Sequence, residues 1–209
     1  DHLETDIVVE PGARVLVTTP SATKVFSMPD GEATLAARLT VEAGGLLEYL
    51  PDPLIPFGGA RLNQTADIVV KPGGALLYTD TLTPGRTGMG ELFAYDCLRQ
   101  RLTVTDGGPA PLYHEAFTLR PGAMLMGRLG LLGRGSATVM GTMVAVAPGD
   151  ASELVTAFRG ALAAHAGVMA GAGALPGDCG VGVRLLGNTT ADVRAATRDL
   201  WQAFRHTLY

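Results

Sequence analysis

A strand–turn–strand phrase recurs along the chain and restricts what it can fold into. It reads Ile7-Val-Val-Glu-Pro-Gly-Ala-Arg-Val-Leu-Val-Thr-Thr19, then Leu39-Thr-Val-Glu-Ala-Gly-Gly-Leu-Leu-Glu-Tyr-Leu50. It returns as Ile68-Val-Val-Lys-Pro-Gly-Gly-Ala-Leu-Leu-Tyr-Thr-Asp80 and, weakly, as Thr118-Leu-Arg-Pro-Gly-Ala-Met-Leu-Met126. Each copy is a β-branched or aliphatic run, a turn carrying Gly, and a second apolar run, the pattern of two strands joined by a tight turn. The turn glycines Gly12, Gly44, Gly73 and Gly122 stand 32, 29 and 49 residues apart. A loose period of about 30 suits stacked β-layers, each needing its neighbour to bury its apolar side. A plain β-sandwich whose hairpins share turn chemistry satisfies the same phrase, and the spacing leaves both open.

Strands dominate to about residue 147, the last running through Ala137-Thr-Val-Met-Gly-Thr-Met-Val-Ala-Val146. The period then changes. After Pro148-Gly149, Asp150 with Glu153 makes a capping-box-like start. Leu154, Phe158, Ala161, Leu162 and His165 follow on one helical face, and Gly167 supplies a stop. The Gly-rich stretch Ala170–Gly180 reads as a loop and Val181–Leu186 as a short strand. Thr189 with Asp192 starts a second helix with the stripe Val193, Ala196, Leu200, Phe204 and Leu208. Its last turn carries Arg205 and His206, where cations suit the helix dipole. The expected architecture is mainly β, a stacked β-layer body over residues 1–147. A helix–strand–helix part, 148–209, packs on the same domain.

Composition narrows function by exclusion. A chain of 209 residues, 47% apolar and 17% charged, describes a soluble globular protein. No run approaches the roughly 18 apolar residues of a membrane span. Asp1-His2-Leu3-Glu4 is acidic where a secretory signal would be basic, and reads as the edge of a strand. A net charge of −4, well mixed, offers no polybasic stripe for nucleic acid. Cys97 and Cys179, with no CxxC, fit a reducing, cytoplasmic setting and small buried side chains.

No catalytic constellation stands out. His114-Glu115-Ala116-Phe117-Thr118 lacks the second His of a zincin helix, and Gly130-Leu-Leu-Gly133-Arg-Gly135-Ser136 has no Lys to reach a phosphate. Gly88-Met-Gly90 and Gly171-Ala-Gly173 lack the strand–turn–helix context of a nucleotide site. His165, on an apolar helix face, reads as a packed histidine or as a ligand. Carboxylates inside apolar strands are more informative: Glu48, Asp80, Glu91 and Glu115. Alternation can turn each to solvent. Together they can instead line a wet, acidic interior path, because a buried carboxylate needs pairing, hydrogen bonds, water or metal. Oxygen ligands of this kind would pass a divalent ion without gripping it hard. Met124, Met126, Met140 and Met143 bracket an apolar hairpin around Leu129–Leu132, either as core filling or as an adaptable partner surface.

Three phrases, in order, resemble the UreD/UreH family of urease accessory proteins. They are Val17-Thr-Thr-Pro-Ser-Ala-Thr-Lys-Val-Phe26, Leu47-Glu-Tyr-Leu-Pro-Asp-Pro-Leu-Ile-Pro-Phe-Gly-Gly-Ala-Arg61 and Gly85-Arg-Thr-Gly-Met-Gly-Glu-Leu-Phe93. Val183-Arg-Leu-Leu-Gly187 with Asp199-Leu-Trp-Gln-Ala-Phe-Arg205 looks like the family's closing strand and helix, so the likeness covers essentially the whole chain. Tyr49 stands where the family usually has Trp, and the family's further N-terminal strands, ending in a Gly-Gly-Asp turn, leave only Asp1 here. The resemblance implies a β-helix-like body with two C-terminal helices and no catalysis of its own. Such a protein docks on apo-urease and binds a helical UreF-type partner, which brings the nickel-carrying GTPase UreG. Nickel passes through in transit, with no tightly bound cofactor. By matched motif position the family's acidic tunnel residues would be Asp1, Asp80 and Glu115, with Glu91 added beside its glycine turn. The partner face is expected on the second helix, at Leu200, Trp201, Phe204 and Arg205. Two other readings stay open: a β-helical carbohydrate-active enzyme, with paired carboxylates in an open cleft, and a purely structural β-solenoid, with Asp80 and Glu115 on the outer surface.

Overall fold

A computed structural model of the protein describes residues 1–122 and 137–208. The segment around Leu129–Leu132, with Met124 and Met126, lies outside them. Four strands run parallel in one sheet: β1 (His2–Val9), β4 (Ala33–Val41), β7 (Arg61–Val70) and β9 (Cys97–Thr105). β10 (Tyr113–Leu119) closes that sheet antiparallel to β9. The facing sheet begins with β2 (Arg14–Thr18), β5 (Leu46–Leu50) and β8 (Ala75–Leu82), again parallel. It continues antiparallel through β11 (Val139–Val146), β13 (Gly180–Gly187) and β12 (Val168–Ala174). The short strands β3 (Thr23–Val25) and β6 (Leu54–Pro56) pair with each other, and Leu54 of β6 meets Leu82 of β8.

Register explains the sequence repeat. Ile7 lies opposite Leu39 and Leu39 opposite Ile68. In the other sheet Arg14 lies opposite Leu46 and Leu46 opposite Ala75. Both sheets therefore step by 32 and then 29 residues, the spacing of the turn glycines. Each copy is one layer of a solenoid, not a hairpin, because its two strands belong to different sheets and pair with the next copy. The turns stack as well: Gly12 N–H donates to the Gly44 carbonyl at 3.2 Å, and Gly44 N–H to the Gly73 carbonyl at 3.0 Å. All three glycines are left-handed, with φ of +78°, +77° and +87°. Gly44→Ala should therefore cost about 1–2 kcal/mol through backbone strain, and Gly44→Asn less. Urea unfolding of the two variants checks this ordering. The fourth copy does not continue the stack. Its first run lies in β10, which pairs antiparallel, and Ala123–Met126 are beyond the described residues.

The helices cover the outer face of the second sheet. α1 (Ala151–Ala163) is capped by Asp150, whose carboxylate accepts from Ser152 N–H at 2.8 Å. α2 (Thr190–Leu208) starts beside Thr189, which accepts from Asp192 N–H at 3.1 Å. Leu154 and Phe158 of α1 join Val193, Ala196, Leu200 and Phe204 of α2 over Leu77, Met143, Val183 and Leu185 in one buried cluster. His165 is a packed histidine, its Nε2 2.8 Å from the Asp199 carboxylate of α2. The expected loop over Ala170–Gly180 is corrected in its first half, where β12 pairs with β13 from Val168 to Ala174. Glycine lowers strand propensity, but the ladder to β13 and the Arg159 guanidinium on the Ala172 carbonyl (3.0 and 3.1 Å) hold this edge in place. Cys97 and Cys179 are both free thiols. Among the described residues no helix is long and apolar enough to cross a membrane.

Candidate functional site

Between the two sheets the apolar core is interrupted. One cluster holds Val9, Leu39, Ala66, Ile68, Tyr78, Leu102 and Val144; a second holds Leu54, Leu62, Leu82, Tyr95, Leu98 and Leu119. Strand alternation assigns the residue between each pair to the same inner face. On β8 that residue, between Tyr78 and Leu82, is Asp80. On β9, between Leu98 and Leu102, it is Gln100, and on β7, between Leu62 and Ala66, it is Gln64. On β10 Glu115 stands between Tyr113 and Phe117, which pack on different clusters. In the second sheet Asp80, Thr142 and Arg184 are directly opposite one another across β8, β11 and β13. A polar row thus crosses the second sheet at one level, with Gln64 and Gln100 paired across from it and Glu115 one inward position further along, opposite Leu102.

Hydrogen bonds join this row. The Asp80 carboxylate accepts from the amides of Gln64 at 2.8 Å and Gln100 at 2.5 Å. The Arg184 guanidinium donates to Thr142 Oγ1 at 2.6 Å and is ion-paired with Glu115. Tyr113 donates its hydroxyl to the other Glu115 oxygen at 2.8 Å. Asp80 is only 7% exposed. Burial first, and then the Glu115 charge, push its carboxyl up from the usual 3.8 to about 7; Arg184, Gln64 and the Thr81 backbone oppose this. The row is not fully satisfied. The carbonyl oxygens of Gln64 and Gln100 are buried without a hydrogen-bond partner among the described residues.

The row ends in a cavity of about 240 Å³. Its lining includes Asp80, Gln64, Tyr78 and Tyr49, then Leu35 and finally Leu3 and Thr5 of the first strand. Tyr49 and Tyr78 stack with their rings parallel and centroids 5.6 Å apart. On the other side of Asp80, Glu115 and Arg184 are partly exposed, at 17% and 32% of their side chains. The polar groups therefore run from a cavity rim at β1, through buried Asp80, to a half-buried ion pair at β10 and β13.

The structure brings together two of the four expected tunnel carboxylates, Asp80 and Glu115. Asp1 is exposed ahead of β1 and is not among the residues lining the cavity. Glu91 sits in the loop between β8 and β9, where it is ion-paired with Arg86 and accepts the Gly58 N–H at 3.0 Å. The reason is local. Glu91 is not in a strand, so no alternation aims it inward, and the turn directs it to Arg86. Among the described residues no three of His, Cys, Asp and Glu converge to hold a metal ion.

The expected partner face needs a correction. Leu200 and Phe204 are fully buried, because the apolar stripe of α2 is what packs on the sheet. Trp201 and Arg205 flank that stripe and are half-buried, and both bind Glu48 of β5. Trp201 Nε1 donates to Glu48 at 2.8 Å, and Arg205 donates through Nε at 2.7 Å and Nη2 at 2.5 Å. Reading residues singly missed Gln64, Gln100, Thr142 and Arg184. The signal was available in Leu98-Arg-Gln-Arg-Leu-Thr-Val104, where every second residue is apolar except Gln100.

A family model described as UreD urease accessory protein matches residues 1–209. The chain is 33% identical over 208 residues to the urease accessory protein UreD 2 of Brucella suis biovar 1, covering 98% of this chain and 68% of that protein. It is 35% identical over 209 residues to the protein of the same name from Streptomyces griseus subsp. griseus, covering all of this chain and 71% of the other. It is 31% identical over 211 residues to the urease accessory protein UreD of Photorhabdus laumondii subsp. laumondii, covering all of this chain and 65% of that one.

Proposed function

The chain belongs to the UreD family of urease accessory proteins, which supports a role in urease maturation, and from that premise we propose that it is a non-catalytic cytoplasmic scaffold that docks on apo-urease and passes nickel through its polar row. The observation that carries this reading is Asp80, a carboxylate buried between two apolar clusters at a cost to stability. A fold retains such a group where function needs it. Asp80 and Glu115 offer carboxylate oxygens, and Gln64 and Gln100 offer amide oxygens without partners. Such hard oxygen donors, without thiolate or imidazole among them, hold nickel weakly and release it, as a conduit requires. The UreF-type partner, carrying the UreG-type GTPase, meets the outer side of α2. There Trp201, Arg194 and Arg198 border a groove of about 270 Å³ with Leu16 and Pro53.

The burial of Asp80 also speaks against the two other readings. A carbohydrate-active enzyme presents its carboxylates to a polymer in an open cleft, and a purely structural solenoid turns them outward. Neither fits a side chain 7% exposed between the sheets.

The test is activation of apo-urease by nickel, with the UreF-type and UreG-type partners co-purified. Glu115→Ala should leave the complex intact and lower the rate of activation tenfold or more. Unchanged activation removes the conduit and leaves the scaffold; failure of the native chain to form the complex removes the docking role.

A further inference from the structure

The polar row contains its own cation. Arg184 lies directly opposite Thr142, and Thr142 directly opposite Asp80, so register brings Arg184 into line with Asp80, and an ion pair ties its guanidinium to Glu115 of the facing sheet. It is ion-paired with Glu115, donates to Thr142 at 2.6 Å, and its charge acts on Asp80. A guanidinium cannot lose its proton in a protein, so this positive charge is permanent. Near Asp80 an acceptor is left over: the Gln100 carbonyl oxygen, on a residue only 6% exposed, has no hydrogen-bond partner among the described residues.

We propose that Arg184 is the resident counter-cation of the interior, and that it keeps the path open to nickel by competing with the ion for Glu115. This rests on the conduit reading above and adds its control element. A divalent ion entering the row must take Glu115 from the guanidinium and then experiences its repulsion, so it is held briefly and passed on. Without Arg184 the same oxygen donors would hold the ion longer, because Glu115 would be free to bind it. Arg184 is a positioning and release residue, and the sense of its effect is opposite to that of a ligand: removing it should strengthen binding.

The experiment is equilibrium dialysis of the purified chain against nickel alone, with no partner and no urease. Arg184→Gln should retain nickel at least tenfold more tightly than the native chain, Arg184→Lys about as weakly as the native chain, and Glu115→Gln added to Arg184→Gln should abolish the gain. Thr142→Val, which keeps size and strand propensity and removes only the acceptor at 2.6 Å, should give a smaller gain of about two- to threefold. It keeps the test decisive if Arg184→Gln folds poorly. Retention equal to or weaker than native in Arg184→Gln, or in Thr142→Val when that variant alone is folded, overturns the proposal. Because dialysis reads binding and not activation, that result is separate from failure of the conduit, which the Glu115→Ala activation assay reports.

Discussion

Asp80→Asn should make the protein more stable at pH 8 and at the same time unable to support normal urease activation. The carboxyl ionises in the usual range near 3.8 when unfolded and near 7 when folded. The native state therefore binds this proton more tightly than the unfolded chain does. The group carries no penalty below about pH 4, and stability is lost as pH rises through about 7. Raising a carboxyl from about 4 to about 7 corresponds to roughly 4 kcal/mol at pH 8. Asparagine removes the charge, and its amide gives the orphaned carbonyls of Gln64 and Gln100 a donor. A net gain of about 2–3 kcal/mol at pH 8 would raise Tm by about 5–10 °C in a chain of this length. The gain should shrink steadily toward pH 5. Thermal melts of native and variant protein across pH 4.5–8.5, beside the activation assay, read both halves. Loss of stability at every pH would show that Asp80 is held for structure.

The second large effect concerns the attachment of α2. Glu48 is buried, with only 4% of its side chain exposed, and is clamped by Trp201 and, bidentately, by the Nε–Nη2 edge of the Arg205 guanidinium. The guanidinium also lies over the Trp201 ring at 4.4 Å. Burial alone would raise the Glu48 carboxyl; the hydrogen bonds from Arg205 and Trp201 outweigh it and hold the carboxyl below its usual value. Arg205→Met leaves that carboxylate with one indole donor. Breaking a fully buried pair costs about 3–5 kcal/mol, and the partial exposure of Arg205 reduces the expectation to about 2–3 kcal/mol. Glu48→Gln in the Arg205→Met background should recover more than half, because an uncharged amide still accepts from Trp201. Urea unfolding of the four proteins in the cycle gives the coupling directly. Since the Glu48 carboxyl is depressed in the folded state, its contribution is present above about pH 4.5 and is lost as the pH falls through the folded value. A cost below about 0.5 kcal/mol for Arg205→Met would show that water already compensates Glu48.

Several elements were legible before any coordinates. The glycine spacing of 32 and 29 is the parallel register of both sheets. Asp150 and Thr189 mark the helix starts because capping is a local hydrogen bond. Leu154, Phe158, Val193, Leu200 and Phe204 are buried because a helix turns one stripe inward. That same rule shows why Leu200 and Phe204 were poor choices for a partner surface. β12 was not legible, because its pairing comes from β13 and its glycines carry no strand signal of their own. Asp80 was visible as a polar residue in an apolar strand, whereas Arg184 looked like one more charge on a short strand.

By itself, the sequence determined orientation. A period of two, or of 3.6, encodes which side of its own element a residue faces, and glycine encodes where the chain turns. Only the tertiary structure decided coincidence. Glu115 meets Arg184 across 69 residues and Glu48 meets Arg205 across 157. Both meetings depend on the register summed over several strands and on where α2 comes to rest. No local pattern carries that sum, so the interior row of Asp80, Gln100, Glu115 and Arg184 exists only once the layers are stacked.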